Sequence, residues 1–285
     1  MGLSVIIPSR TELFLNRTIQ DVLEKATGEI EVLPVLDGYE PDELVKDPRV
    51  KYIRLEASQS MQKRQGINEG VRIASFDHVM SLDAHCMMAK GFDEELEKVH
   101  QPNWVQVPRR NRLDAAKWSI QPQKDTRPPI DYEYIMFRPL LTYGQGLHGF
   151  RWDDRTLARW NIPIDDILTM QGSCWFMTKE WFNKMGFMHV EGYTGWGQEA
   201  EEISFTTWKN GGEVKVNKNT WYAHLHKGLT WGRMYHMNRR ENKQSYDYSY
   251  KFWIYDNKDF FIRLINKFSP LPNWPLDWVE RLYGK

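Results

Sequence analysis

Cysteine is scarce in this chain: Cys86 and Cys174 are the only two among 285 residues. Two thiols so far apart make neither a metal-ligand spacing nor a disulfide framework, so both are expected to be buried thiols. Net charge is missing as well, since Lys+Arg and Asp+Glu stand at 38 each. That balance removes a global basic field for nucleic acid, although not a local patch. No apolar run approaches the roughly 20 residues of a membrane helix, and the opening MGLSVIIPSR is too short for a signal-peptide core. The expectation is a cytosolic, reduced protein with no membrane span. Also absent is a glycine-rich, basic phosphate loop after the first apolar run, where Pro8-Ser9-Arg10 stands instead. A sugar nucleotidyltransferase would be expected to carry such a loop, which ranks that class low.

What the chain does have is hydrophobic content of 41%, with thirteen each of Trp, Tyr and Phe. That suffices for one large α/β domain or two small ones. Residues 3–7, 30–36, 50–55 and 77–82 read as strands. Between them, residues 11–26 and 58–74 show helical spacing, with Ser58 as a candidate cap and Met61, Ile67 and Val71 facing inward. A short helix is expected over 92–99. Alternation of this kind predicts a mostly parallel sheet with right-handed crossovers, whose ligands bind beyond the carboxyl ends of the strands. Leu36-Asp37-Gly38 and Leu82-Asp83-Ala84-His85 sit at two of those ends. From about Pro108 to Met170 the pattern loosens. Residues 172–178 then read as a strand with Thr178 capping the next helix, 195–210 as a loop and helix ended by Gly211-Gly212, and 213–217 and 220–226 as two strands. The predicted organisation is a catalytic domain over 1–226, with a donor half to about 107 and an acceptor half from 108, and an aromatic, partly basic extension over 227–285 packed on it.

Asp83 and His85 carry the chemistry. At an extended strand end, residues i and i+2 point to one side, so a carboxylate and an imidazole can reach one ion. That pair suits Mn²⁺ or a similar first-row cation better than Mg²⁺ or Ca²⁺. Such an ion would sit against the phosphates of a nucleotide diphosphate and neutralise charge on the leaving oxygen. His224 or His226, late in the domain, could add a third ligand. Each of these histidines alone is more commonly structural. Asp37 could accept hydrogen bonds from a nucleoside or simply hold the turn before Gly38. Arg64 and Lys227 could approach the donor or be solvated. Glu199 and Glu202 stand one helical turn apart and could position an acceptor hydroxyl, or only offset the helix dipole; Glu201 is expected to be solvated. Trp196, between Gly195 and Gly197, could stack a sugar or pack in the core.

Taken in order, SVIIPSR (4–10), VLDG (35–38), MQKRQGINEG (61–70), SLDAHC (81–86), LTMQGSCWFMTKEWFNKMG (168–186), GWGQEAEEISFTTWKNGG (195–212), TWYAHLHK (220–227) and, weakly, NRR (238–240) resemble the GT-A glycosyltransferases. Within that class they resemble the catalytic domain of the polypeptide N-acetylgalactosaminyltransferases, over about residues 3–240. The resemblance implies a nucleotide-diphospho-sugar transferase fold of Rossmann-like α/β type. It implies Asp83, His85 and His224 as metal ligands and Asp37 at the uridine of a UDP-sugar. Pro8, Arg10, Arg64 and Lys227 fall on the donor side, the last two near its phosphates. Glu199, with Glu202, is implied in catalysis, and Trp196 and Gly197 in the sugar pocket. Trp175 stands where the family keeps small residues, which leaves the donor sugar open. The membrane anchor, extra cysteines and lectin domain of that family are not found, so peptide glycosylation in a secretory compartment is not implied. A retaining course is favoured, and Glu199 would be the base if the enzyme inverts.

The sequence therefore points to a metal-dependent glycosyltransferase acting on a glycan, metabolite or protein. A variant would act on hydroxymethylated pyrimidines of DNA. Residues 227–251 interleave Lys227, Arg233, Arg239, Arg240, Lys243 and Lys251 with Trp231, Tyr235, Tyr246, Tyr248 and Tyr250, which could grip phosphates and stack a base. The other class is a non-catalytic nucleotide-sugar-binding module, against which the joint presence of Asp83, His85, His224 and Glu199 argues. Oligomeric state is not legible.

Overall fold

The computed structural model of the protein describes residues 2–58, 62–122, 128–138, 146–195, 197–232 and 238–284. The first half runs β1 (Gly2–Ser9), α1 (Leu15–Lys25), β2 (Glu29–Asp37), β3 (Ile53–Leu55), α2 (Lys63–Ile73), β4 (His78–Leu82), β5 (Cys86–Met88) and α3 (Phe92–Glu97). Next come β6 (Trp104–Asp114), β7 (Ser119–Ile120), β8 (Glu133–Ile135), β9 (Gly149–Arg151), α4 (Asp153–Ala158), β10 (Ile164–Asp166) and β11 (Cys174–Thr178). The chain finishes with α5 (Lys179–Met185), α6 (Glu199–Lys209), β12 (Glu213–His224), α7 (Gly228–Trp231), α8 (Arg239–Tyr250), a π-helical segment (Lys251–Asp256), α9 (Lys258–Phe268) and α10 (Trp278–Tyr283). Among the described residues, no helix is long and apolar enough to cross a membrane.

The central sheet has the order β10-β12-β6-β11-β4-β1-β2-β3. Strands β1 to β4 are mutually parallel, and β6 and β12 run the same way; β11, wedged between β4 and β6, runs against them, as does β10 at the far edge. The sheet is thus mostly parallel in strand direction, as expected, and flanked by helices. Val5, Ile6, Ile7, Val32 and Leu33 are completely or almost completely buried, the near-continuous apolar run of a strand covered on both faces. Both cysteines are free and buried.

Local expectations hold in part. Thr178 caps α5, its hydroxyl accepting from the Trp181 amide at 3.0 Å. Ser58 is not the cap of α2, which begins at Lys63 after Gln62, and Met61 lies outside the described residues. The two strands expected at 213–217 and 220–226 are one strand, β12, bent by an irregularity between Asn217 and Trp221. The loose stretch after Pro108 holds most of β6, along with β7 to β10 and α4.

The C-terminal helices pack against β8 and α6. Tyr250, Trp253, Phe261, Leu264 and Ile265 pack into a second core with Tyr134, Ile135, Leu147, Leu168 and Phe205. Tyr246 and Tyr250 are buried, and Tyr248, 36% exposed, stacks on Phe252 at 5.8 Å. Arg239 and Arg240 are exposed, and Lys243 pairs with Asp247. Arg233 and Tyr235 lie outside the described residues.

Two carboxylates of α6 serve the fold. Arg64, on α2, is buried at 3% exposure and forms an ion pair with the fully buried Glu202. The guanidinium also donates to the His189 carbonyl at 3.1 Å and lies 4.0 Å over the Tyr193 ring. Glu202 accepts the His189 amide at 2.7 Å as well. Removing one partner of such a pair strands the other charge, so Glu202→Ala is expected to cost about 3–5 kcal/mol in denaturant unfolding.

Glu201, expected to be solvated, is only 4% exposed and accepts the Gly149 amide at 3.2 Å. Burial, with Glu133 and Glu199 nearby, pushes its carboxyl up to about 8 from an ordinary 4.5. The fold therefore keeps a proton that the unfolded chain releases, and stability falls as pH rises from about 4.5 to about 8. Glu201→Gln retains the acceptor for Gly149 and abolishes the titration. It is expected to raise Tm by about 3 °C or more at pH 8.5 and to leave it near the parent's at pH 5, read by calorimetry at both pH values.

Candidate active site

The carboxyl ends of β1, β2, β4 and β12 share one edge of the sheet, and a cavity of about 510 Å³ opens there. It is lined by Pro8, Ser9 and Arg10 after β1, Asp37 at the end of β2, Asp83 to His85 after β4, and His224 to Gly228 after β12. Gln62, Lys63 and Gly66 of the α2 start close one side, and Gln171 the other.

The turn bearing Asp83 and His85 is clamped from three directions. The Asp83 amide donates to the Ser173 carbonyl at 2.8 Å, the Cys86 amide to the Thr18 hydroxyl at 3.1 Å, and the Met88 amide to Asp21 at 2.7 Å. Strand β5 then pairs antiparallel with β12, placing His224 opposite Cys86, and the Leu225 amide donates to the His85 carbonyl at 3.1 Å. His224 Nε2 thereby reaches within 3.1 Å of His85 Nε2 and 3.4 Å of Asp83 Oδ2. One ligand atom from each of Asp83, His85 and His224 lies within 4.8 Å of the others.

The 3.1 and 3.4 Å separations from His224 fit a cation. Ligands bound at about 2.1 Å and set at right or tetrahedral angles stand about 3 Å apart. Burial holds the His224 ring well below its ordinary pKa, which keeps it neutral and a ligand. Burial works against the Asp83 carboxylate, and Lys63, His224 and His85 outweigh it, so the group stays ionised. Lys63 Nζ lies 2.9 Å from Asp83 Oδ1, leaving Oδ2 on the imidazole side. The donor set of one carboxylate and two imidazoles suits a first-row divalent ion.

Asp37 is 7% exposed and accepts the Gln62 amide at 3.0 Å, the Gln62 side chain at 2.9 Å and Arg10 at 3.3 Å. It braces two other lining residues. Lys227 lines the cavity with its ammonium on Glu12 at 2.6 Å. Burial raises the Glu12 carboxyl, and His85 and Lys227 together bring it below its ordinary value. Arg110, 2% exposed, donates to His226 Nε2 at 2.6 Å behind the ligand shell. Burial and the nearby Arg110 and Arg112 push the His226 ring down to about 4.

Several expected site residues do not line this cavity. Arg64 and Glu202 neutralise each other inside the protein, away from the donor side. Trp175 is fully buried on β11, stacked on Phe182 at 6.0 Å, because its position on the sheet turns it into the core. Gly197, at φ 97°, gives its carbonyl to Arg64 at 3.3 Å. Trp196 lies outside the described residues. Glu199 is buried at the start of α6, and Gly172, next to the lining residue Gln171, faces its Cβ, so it stands about one layer behind the cavity wall. Glu12, Lys63 and Arg110 escaped the sequence reading. Only Glu12 carried a signal, an acidic residue three positions past the first strand.

The chain is similar to known proteins along most of its length. Residues 4–186 match Glycosyl transferase family 2. Polypeptide N-acetylgalactosaminyltransferase 5 of Caenorhabditis elegans is 24% identical over 284 residues, covering 92% of this chain and 43% of its own length. Polypeptide N-acetylgalactosaminyltransferase 11 of Xenopus tropicalis is 27% identical over 240 residues, covering 75% and 36%. The chain thus spans about two fifths of these relatives. A crystal structure of GalNAc-T7 with UDP, GalNAc and Mn²⁺ superposes with a TM-score of 0.68 at 19% identity, covering 94% of this chain and 56% of that one, which establishes the GT-A fold. With the family matched across most of the chain, the protein belongs to glycosyl transferase family 2.

Proposed function

We propose that this chain is a metal-dependent glycosyltransferase that moves a sugar from a UDP-sugar to an acceptor hydroxyl. The observation carrying the reading is the convergence of Asp83, His85 and His224 at the mouth of a cavity flanked by Lys63 and Lys227. The UDP and Mn²⁺ bound to the GalNAc-T7 structure, a protein of the same fold, support the choice of donor and ion. Asp83, His85 and His224 would hold Mn²⁺ or another divalent ion such as Mg²⁺, which supplies positive charge to the departing diphosphate.

In this reading Asp37, Arg10 and Gln62 form the polar wall for the nucleoside, with Pro8, Val35 and Leu55 as its apolar bed. Lys63 and Lys227 add charge beside the phosphates. The cavity's buried floor excludes water from the bond being broken, which strengthens each of these contacts. Glu199, buried beside Gly172 at the start of α6, is the candidate for the sugar and acceptor side. The resemblance slightly favours a retaining course, and Glu199 is the base if the course is inverting.

Three outcomes check the reading. A panel of UDP-sugars is expected to raise Tm by several degrees only when Mn²⁺ is present, as about 2.7 kcal/mol of linkage at a hundredfold excess over Kd requires. Asp83→Ala is expected to abolish that shift while its own circular dichroism stays that of the parent. Metal-independent stabilisation, or a full shift in Asp83→Ala, overturns the ligand assignment. Glu199→Gln is expected to bind donor and metal normally and to lose transfer by about 10² or more. Normal turnover would remove Glu199 from the chemistry.

A further inference from the structure

Glu12 lies outside the ligand triad yet touches it. Its side chain is 7% exposed, with Oε2 3.4 Å from His85 Nδ1 and both oxygens on Lys227 Nζ, Oε1 at 2.6 Å and Oε2 at 2.5 Å. The three residues come from separate parts of the chain, after β1, β4 and β12. The backbone that delivers Glu12 is unusual: Thr11 has φ 50°, a left-handed conformation that a β-branched residue rarely adopts, and its hydroxyl bonds the Arg10 carbonyl at 2.8 Å. A strained residue next to a buried carboxylate marks a position set by more than the turn itself.

We propose that Glu12 is a positioning residue of the metal site. Its carboxylate accepts from the Nδ1–H of His85, which leaves the Nε2 lone pair facing Asp83 and His224, and the same carboxylate holds Lys227 at the cavity edge through both oxygens. Carboxylates in this outer position fix the tautomer and ring orientation of a ligating histidine, and their loss costs roughly 10–100-fold in metal affinity. The inference rests on the metal-site reading above and extends it to a residue that neither binds the ion nor meets the sugar. Both partners of Glu12 donate, so a carboxylate serves them together, whereas an amide has one oxygen for two donors.

The test is Glu12→Gln, read in two ways without turnover. Mn²⁺ affinity, by titration calorimetry without nucleotide, is expected to fall about 10–100-fold. The ¹⁵N shifts of the His85 ring in the metal-free protein are expected to report Nδ1–H in the parent and to move toward Nε2–H in the variant. Glu12→Asp, which keeps the charge, is expected to restore part of the affinity and covers the case in which the glutamine variant does not fold. Parent-like Mn²⁺ affinity in Glu12→Gln, or an Nε2–H ring in the parent, overturns the proposal and leaves the metal site standing. A parent protein that fails to bind Mn²⁺ overturns both.

Discussion

Register between β5 and β12 is the constraint on which the candidate site depends. His224 stands opposite Cys86 in that ladder, and His85 immediately precedes it. A slip of one residue would send the His224 side chain to the other face of the sheet. The irregularity between Asn217 and Trp221 matters for the same reason, because it resets the phase of β12 against β6 before the histidine is reached. Thr18 and Asp21 of α1 hold β5 through the Cys86 and Met88 amides, and the Leu225 amide on the His85 carbonyl continues the ladder past His224. The helix that covers the sheet thus also fixes the edge of the cavity.

The cavity is preorganised by its own charges. Lys63 sits on Asp83 and Lys227 on Glu12, so each cation at the rim is held by a carboxylate already in place. Arg110 lies behind His226, and Asp37 braces Arg10 and Gln62. Side chains tethered in this way lose little further freedom when a ligand arrives. The same logic operates deeper in the protein with a different result. Arg64 and Glu202 neutralise each other where no ligand reaches, and they tie α2 to α6.

The fold and the centre of the site were legible in the sequence because they rest on short-range rules. Alternating strands and helices announce a parallel sheet, and their order puts Asp83 and His85 at the strand ends where ligands bind, although the two stand on a turn and not on extended strand. Helix faces are less legible. The spacing of Glu199 and Glu202 places them one turn apart but does not say whether that face meets the cavity or the Arg64 guanidinium from α2. Burial of Glu201 depends on Gly149 and Glu133, some 50 residues or more upstream, a contact that only the folded sheet creates. Trp175 shows the same limit, since its neighbour on the sheet decides which way it turns. Lys63 and Arg110 are cations of ordinary appearance whose partners are distant in sequence.

The central claim is that two imidazoles and one carboxylate meet on a single cation. Pulsed electron paramagnetic resonance of the Mn²⁺-loaded protein reads this directly through nitrogen couplings. The account predicts couplings from two histidine nitrogens, falling to one in His85→Gln and to one in His224→Gln. A spectrum of Mn²⁺ without imidazole coupling, or couplings unchanged in both variants, would contradict it.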